Sequence, residues 1–165
     1  MFADQHFTVD VMPFRQAISA AGIRDMHVLE IGAGHGEITR LILDERPAQL
    51  RAYEIERGLC AIRHTLLDLR EEAFTQASIA SLRGWCIICT PPYSLLGTIR
   101  EALTWLAPPR AVLLVPVRLL TAFSDFNIFT VISGKAGFDP PSRGEHAIIY
   151  LGFRIPNVQA SVRDA

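Results

Sequence analysis

Apolar positions along the chain follow two rhythms, and the switches between them outline a fold. From Val11 to Ala21 they recur at helical spacing and stop at Gly22, which predicts an amphipathic helix with a glycine end. His27–Ile31 (HVLEI) is short and apolar and reads as a strand; a glycine turn then leads into a second amphipathic helix over Glu37–Asp44. The same logic gives a strand over Leu50–Ile55, a helix over Arg57–Leu69, a strand over Trp85–Cys89, a helix over Leu95–Leu106 and a buried strand over Ala111–Val115. Two more strands, near Asn127–Ile132 and His146–Phe153, have no long helix between them and are expected to pair antiparallel at one edge. Strands separated by helices call for parallel crossovers. The expected fold class is therefore α/β: a Rossmann-like, doubly wound, mostly parallel sheet with an antiparallel edge strand.

In such sheets the ligand crevice lies outside the carboxyl ends of the strands, near the point where strand order reverses. Two strand ends carry unusual residues. The run IICTPPYSLL (Ile87–Leu96) closes an apolar strand with Thr90-Pro91-Pro92-Tyr93. A Pro-Pro pair in mid-sheet would remove ladder hydrogen bonds, so these residues belong where the strand stops. After HVLEI comes Gly32-Ala33-Gly34-His35-Gly36-Glu37, with a carboxylate where a dinucleotide fingerprint has its third glycine. Glu37 complements the helix dipole but would repel a pyrophosphate. The loop suits a ligand without phosphates, such as S-adenosylmethionine, which carries a sulfonium, an ammonium and an adenosine. Glu54, at the end of the second strand, lies about twenty residues beyond the loop, the spacing at which an acid accepts hydrogen bonds from ribose hydroxyls.

Composition narrows the reading further. With 165 residues, half of them apolar, the chain fits one domain over 1–165. A net charge of -1 argues against holding nucleic acid by bulk electrostatics, although a local basic patch stays compatible with it. The N-terminus lacks a basic and apolar leader and no stretch is long enough to span a membrane, so a cytoplasmic protein is expected, with no membrane partner. Cys86 and Cys89 form C-x-x-C, but on a strand an offset of three puts the sulfurs on opposite faces, so they read as core thiols. Cys60 and His64 share a helix face in this reading but have no third ligand, and no metal is expected.

These motifs together resemble the class I S-adenosylmethionine-dependent methyltransferases, and most closely the catalytic domain of the ribosomal RNA adenine dimethylases and erythromycin-resistance methylases. Gln5-His6-Phe7-Thr8 is similar to the family's Q-N-F-L, VLEIGAGHGEIT to its V-L-E-I-G-P-G-x-G-x-L-T, YEIERGL to its acidic second-strand motif, and TPPYS to its N-L-P-Y or N-P-P-Y. Phe138-Asp139-Pro140-Pro141 with AIIYLGF is similar to the late F-x-P-x-P turn and final strand. The resemblance covers nearly the whole chain. It implies a cofactor site of Gln5, His6, Phe7, Glu30, Gly32, Ala33, Gly34, Gly36, Glu54, Ile55 and Glu72. It also implies that Thr90, Pro91, Pro92 and Tyr93 do the chemistry, with Tyr93 and Phe138 on the substrate base.

The family function carried over is methylation of an adenine amino group (N6) in RNA or DNA. Adenine's amine is a poor nucleophile because its lone pair is delocalised, so a site must accept its hydrogen bonds and align it. The family's Asn or Asp before Pro-Pro-Tyr is Thr90 here, its Asn after Gln is His6, and its adenine-ring acid is at best Glu72. Thr90 offers an oxygen that accepts but also donates, so weaker activity, another acceptor and no catalysis all stay open. The alternatives are a DNA adenine or other amino-group methylase, and a non-catalytic S-adenosylmethionine-binding subunit. The family's helical RNA-gripping domain after the catalytic one is not expected here. Recognition would then draw on a protein partner, on a homo-oligomer, or on a smaller single-stranded target.

Overall fold

The computed structural model describes residues 7–152 except 143. In chain order the elements are β1 (Phe7–Thr8), α1 (Met12–Ala21), β2 (His27–Ile31), α2 (Glu37–Asp44), β3 (Gln49–Tyr53), β4 (Leu67–Arg70), α3 (Gln76–Ile79), β5 (Cys86–Cys89), α4 (Leu96–Leu106), β6 (Ala111–Pro116), β7 (Asn127–Ser133), α5 (Gly134–Gly137), β8 (Phe138–Asp139) and β9 (Glu145–Leu151). Short 3-10 turns at Ala80–Leu82, Tyr93–Leu95 and Val117–Phe123 fill the connections.

Seven strands form one sheet in the order β4-β3-β2-β5-β6-β9-β7. The pairs from β4 through β6 are parallel, while β9 runs antiparallel to both β6 and β7. The doubly wound sheet with an antiparallel edge is therefore present, and the final strand β9 inserts between β6 and β7. Alternate strand residues face opposite cores. Leu29, Ile31, Ile87, Cys89, Leu113 and Val115 pack with Ile99 and Leu106 of α4, whereas Val28, Cys86, Ile88, Val112 and Leu114 pack with Phe14 and Ile18 of α1 and with Ile42 of α2. Each such buried Val, Leu or Ile side chain contributes about 1.5–3 kcal/mol relative to exposure. Cys86 and Cys89 thus lie in different cores, as their offset requires, and both are free thiols.

One expected element does not form. Residues 57–66 contain no helix, and the end of the stretch becomes the edge strand β4, parallel to β3. Apolar Leu67 and Leu69 alternate there with Asp68 and Arg70, a period of two, and Asp68 accepts hydrogen bonds from Arg51 Nε on β3 (2.8 Å) and from Arg70 Nη2 (3.0 Å). Helical spacing between Leu59, Ile62 and Leu66 imitated an amphipathic face. His64 Nδ1 instead accepts the Leu66 N–H, so His64 and Cys60 do not share a helix face.

A second sheet, of β1 and β8, has two antiparallel strands with Phe7 opposite Asp139 and Thr8 opposite Phe138. It carries the start of the described chain to the carboxyl end of the main sheet. Arg110, between α4 and β6, donates to the carbonyls of Ala21 and Gly22 and so satisfies the end of α1. No helix among the described residues is long and apolar enough to cross a membrane.

Candidate functional site

The chain leaves β2 toward β3 and β4, then crosses back to β5 on the other side of β2. The reversal of strand order therefore lies between β2 and β5, and a cavity of about 230 Å³ opens there. Its walls include Gly32, Ala33 and Gly34 after β2, Glu54 and Ile55 after β3, Glu72 and Phe74 after β4, Thr90–Leu95 after β5, and Phe7 and Phe138 from the small sheet.

The β2 wall is held by backbone hydrogen bonds. The N–H groups of Gly32 and Ala33 donate to the Tyr53 carbonyl (2.9 and 3.2 Å), and the Gly36 N–H donates to the Ala33 carbonyl (2.9 Å). Gly32 has φ +85°, and a Cβ there would stand 3.3 Å from the Thr90 carbonyl oxygen. Gly34 has φ +55°, and its Cβ would touch the Phe7 ring at 3.4 Å. Both positions combine a left-handed backbone with a close neighbour, which is why side chains are missing where the chain bends around the cavity. Glu54 is nearly buried, its Oε2 accepting the Gly34 N–H (2.8 Å) and its Oε1 the Glu56 N–H (2.9 Å). Each oxygen keeps a further lone pair for a ligand donor.

At the β5 wall the prolines stand where pairing with β2 and β6 ends. Pro91 is buried, and Pro92 begins the turn in which the Leu95 N–H donates to the Pro92 carbonyl (3.0 Å). Thr90 Oγ1 lies 3.4 Å from the Gly32 carbonyl oxygen and donates to it. With its proton so directed, the hydroxyl has only lone pairs left for another group. Tyr93 is fixed at its far end: its hydroxyl shares hydrogen bonds with His146 Nε2 and with Ser142 Oγ (3.0 Å). Both partners are buried, and the Tyr93 and His146 rings are nearly parallel, with planes 21° apart. Phe138 packs on the same His146 ring, with centroids 4.7 Å apart.

Charge is divided unevenly. Glu37, Glu54 and Glu72 all border the cavity, while no Lys, Arg or His does so among its described lining residues. Glu30 sits deeper. It is 1% exposed, off the cavity wall, and its Oε2 accepts from Thr39 Oγ1 (2.8 Å). Burial pushes its carboxyl up to about 8 against the Thr39 hydrogen bond, and the charges of Glu54 and Glu37 add to the rise.

The structure thus gathers Phe7, Gly32, Ala33, Gly34, Glu54, Ile55, Glu72, Thr90, Pro91, Pro92, Tyr93 and Phe138 around one space. It leaves two sequence candidates behind that wall. Glu30 bonds to Thr39, and Gly36 lies under Ile62 and Cys60, so that a Cβ there would collide with Ile62. Gln5 and His6 fall outside the described residues. His35 is exposed on the far side of the Phe7 ring, with centroids 4.5 Å apart. Among the described residues no group of His, Cys, Asp and Glu is placed to hold a metal. Sequence reading missed Ser142, His146 and Arg118, which meet Tyr93 only through the sheet order. The one signal available was a histidine inside an otherwise apolar strand.

No family model matches the chain. The ribosomal RNA small subunit methyltransferase A of Synechococcus sp. (strain RCC307) is 28% identical over 109 residues, which cover 60% of this chain and 40% of that protein. Among solved structures, the 23S rRNA methyltransferase ErmE superposes with a TM-score of 0.69 at 20% identity, covering 90% of this chain and 70% of that one. A dimethyladenosine transferase from Plasmodium falciparum also gives 0.69, at 16% identity, over 88% and 62% of the two chains. The chain is thus similar in sequence to a ribosomal RNA methyltransferase over less than half of that relative's length, and it shares the fold of the two solved enzymes.

Proposed function

We propose that this crevice binds S-adenosylmethionine and that the chain transfers its methyl group to an adenine amino group in RNA or DNA. One observation carries the reading: a space walled by side-chain-free Gly32 and Gly34 and by three carboxylates, with no cation among its described lining residues, faces a proline-fixed strand end with an aromatic ring. A donor with a positive charge and no phosphate fits such walls, whereas a dinucleotide would bring a pyrophosphate against Glu37. When bound, S-adenosylmethionine supplies an electrophilic methyl group. Glu54 accepts ribose hydroxyls, the side-chain-free Gly32 and Gly34 leave room for the ligand to approach the backbone, and Ile55 and Phe74 offer apolar cover for its adenine. Thr90 Oγ1, its proton held toward Gly32, accepts an amine N–H and with the backbone at Pro91 orients the nitrogen. Tyr93 supplies a fixed ring for an unstacked base.

The ribosomal RNA enzymes it resembles favour RNA as the acceptor. A net charge of -1 favours an unpaired segment as acceptor, or recognition lent by a partner or a second copy. Calorimetry with S-adenosylmethionine and its demethylated product should show binding, and NAD should show none. Binding of NAD alone overturns the reading. Labelled methyl groups should then pass to RNA or DNA oligonucleotides, and Thr90→Val should lower the rate while Thr90→Asn preserves or raises it. Tight cofactor binding with no transfer to any nucleic acid, protein or small-molecule acceptor would leave a cofactor-binding subunit instead.

A further inference from the structure

Arg118 stands just beyond β6, at the carboxyl end of the sheet where the crevice opens, and its side chain is exposed. Its guanidinium carbon lies 5.6 Å from the centroid of the Tyr93 ring, over the ring face. Some arginines are held by polar partners, Arg15 by Asp44, Arg51 and Arg70 by Asp68, and Arg110 by two carbonyls; Arg118 differs from these in being set over the ring of a site residue. Arg118 has no hydrogen bond or ion pair among the described residues; its contact there is with the ring. A guanidinium over an aromatic face is weakly held and keeps its planar fork of donors available. Among the described residues that line the cavity behind Tyr93, the charged side chains are all carboxylates, Glu37, Glu54 and Glu72. The charge pattern therefore changes sign across this ring, from acidic at the methyl-donor end to cationic at the mouth.

We infer that Arg118 is a specificity residue that selects a nucleotide acceptor by its phosphate: it rests on the Tyr93 ring in the free protein and moves to the phosphate beside the target base when that base takes the ring face. A nucleotide has both groups this exchange requires, a flat ring to replace the guanidinium on Tyr93 and an anion to receive the released fork. A neutral amine or a lysine side chain has neither, so the arrangement discriminates against them. The hydroxyl anchors on Ser142 and His146 keep Tyr93 in place while its face changes occupant. The inference rests on the methyl-transfer reading for the position of the acceptor, but it concerns a residue that reading does not use.

The test measures binding rather than turnover. Full-length protein, saturated with the demethylated cofactor, is titrated with adenosine, with adenosine monophosphate and with a fluorescent single-stranded oligoadenylate. Wild type should prefer the two phosphate-bearing probes by about tenfold, as expected of one charge-assisted contact. Arg118→Met should remove that preference, leave adenosine affinity equal or better, and make the log–log salt dependence of the oligonucleotide shallower by about 0.7. Arg118→Lys should keep the salt slope and lose part of the preference, because the charge remains and the fork does not. If Arg118→Met retains both the phosphate preference and the slope while cofactor binding is intact, the inference alone is overturned. If wild type does not bind the cofactor at all, the methyl-transfer reading falls and takes this inference with it.

Discussion

At the β2 end of the crevice, shape comes from backbone atoms within a short span of chain and its parallel neighbour: Gly32, Ala33 and Gly34 hydrogen-bond to Tyr53 and Glu54. At the β5 end it comes from side chains that the sequence keeps far apart, with Tyr93 held by Ser142 and His146 and faced by Arg118. The first end tolerates almost no change of residue type but needs few particular side chains. The second depends on a polar network in which each member has a substitute of similar size, so its failure should be graded. Backbone geometry suits the proposed cofactor, whose shape does not vary, and side-chain geometry suits the proposed choice of acceptor.

The contrast breaks most completely at Gly34. Gly34→Val places a β-branched side chain at φ +55° against Phe7, and such strain costs about 1–3 kcal/mol before any ligand is obstructed. S-adenosylmethionine affinity measured by calorimetry should fall by about a hundredfold or more. An intact affinity in the folded variant would show that the ligand does not approach this loop.

Glu54→Gln comes next. It keeps the shape, but one of two backbone N–H groups then meets an amide nitrogen in place of an oxygen, and the acceptor proposed for ribose loses its charge. The expected loss is about 1–3 kcal/mol of cofactor affinity, with nucleotide binding at the β5 end unchanged.

The opposite result is expected at His146. His146→Leu removes a buried partner of the Tyr93 hydroxyl, so kcat/KM should drop by roughly tenfold while cofactor affinity holds. His146→Gln, which restores a polar atom, should recover part of the loss. Equal damage to cofactor binding would mean that the two ends are not separable.

Glu30 should have the smallest effect on either end, because it lies behind the wall. Its raised pKa means that the folded state keeps a proton the unfolded chain releases, so its favourable contribution is complete below the ordinary value of 4.5 and is lost as pH rises to about 8. Glu30→Gln should flatten this decline in chemical-denaturation midpoints across that window, with cofactor affinity changed by no more than about twofold.

The β2 end was legible in the sequence because its determinants are local. Left-handed bends require glycine, strand alternation assigned Cys86 and Cys89 to opposite cores, and the spacing to Glu54 follows from one strand-helix-strand unit. The Pro-Pro pair likewise marked the end of β5 by itself, since proline cannot continue the ladder. What the tertiary structure decided depended on pairing between distant segments. Leu67–Arg70 became a strand by pairing along β3, where Asp68 lies opposite Arg51; its short period-two alternation competes in the sequence with the helical spacing before it, and only the pairing decides between them. The insertion of β9 between β6 and β7 brings His146 to Tyr93, and the turn after β6 brings Arg118 over the same ring. Side-chain networks of that kind are set by sheet order, and sheet order is a property of the folded chain as a whole.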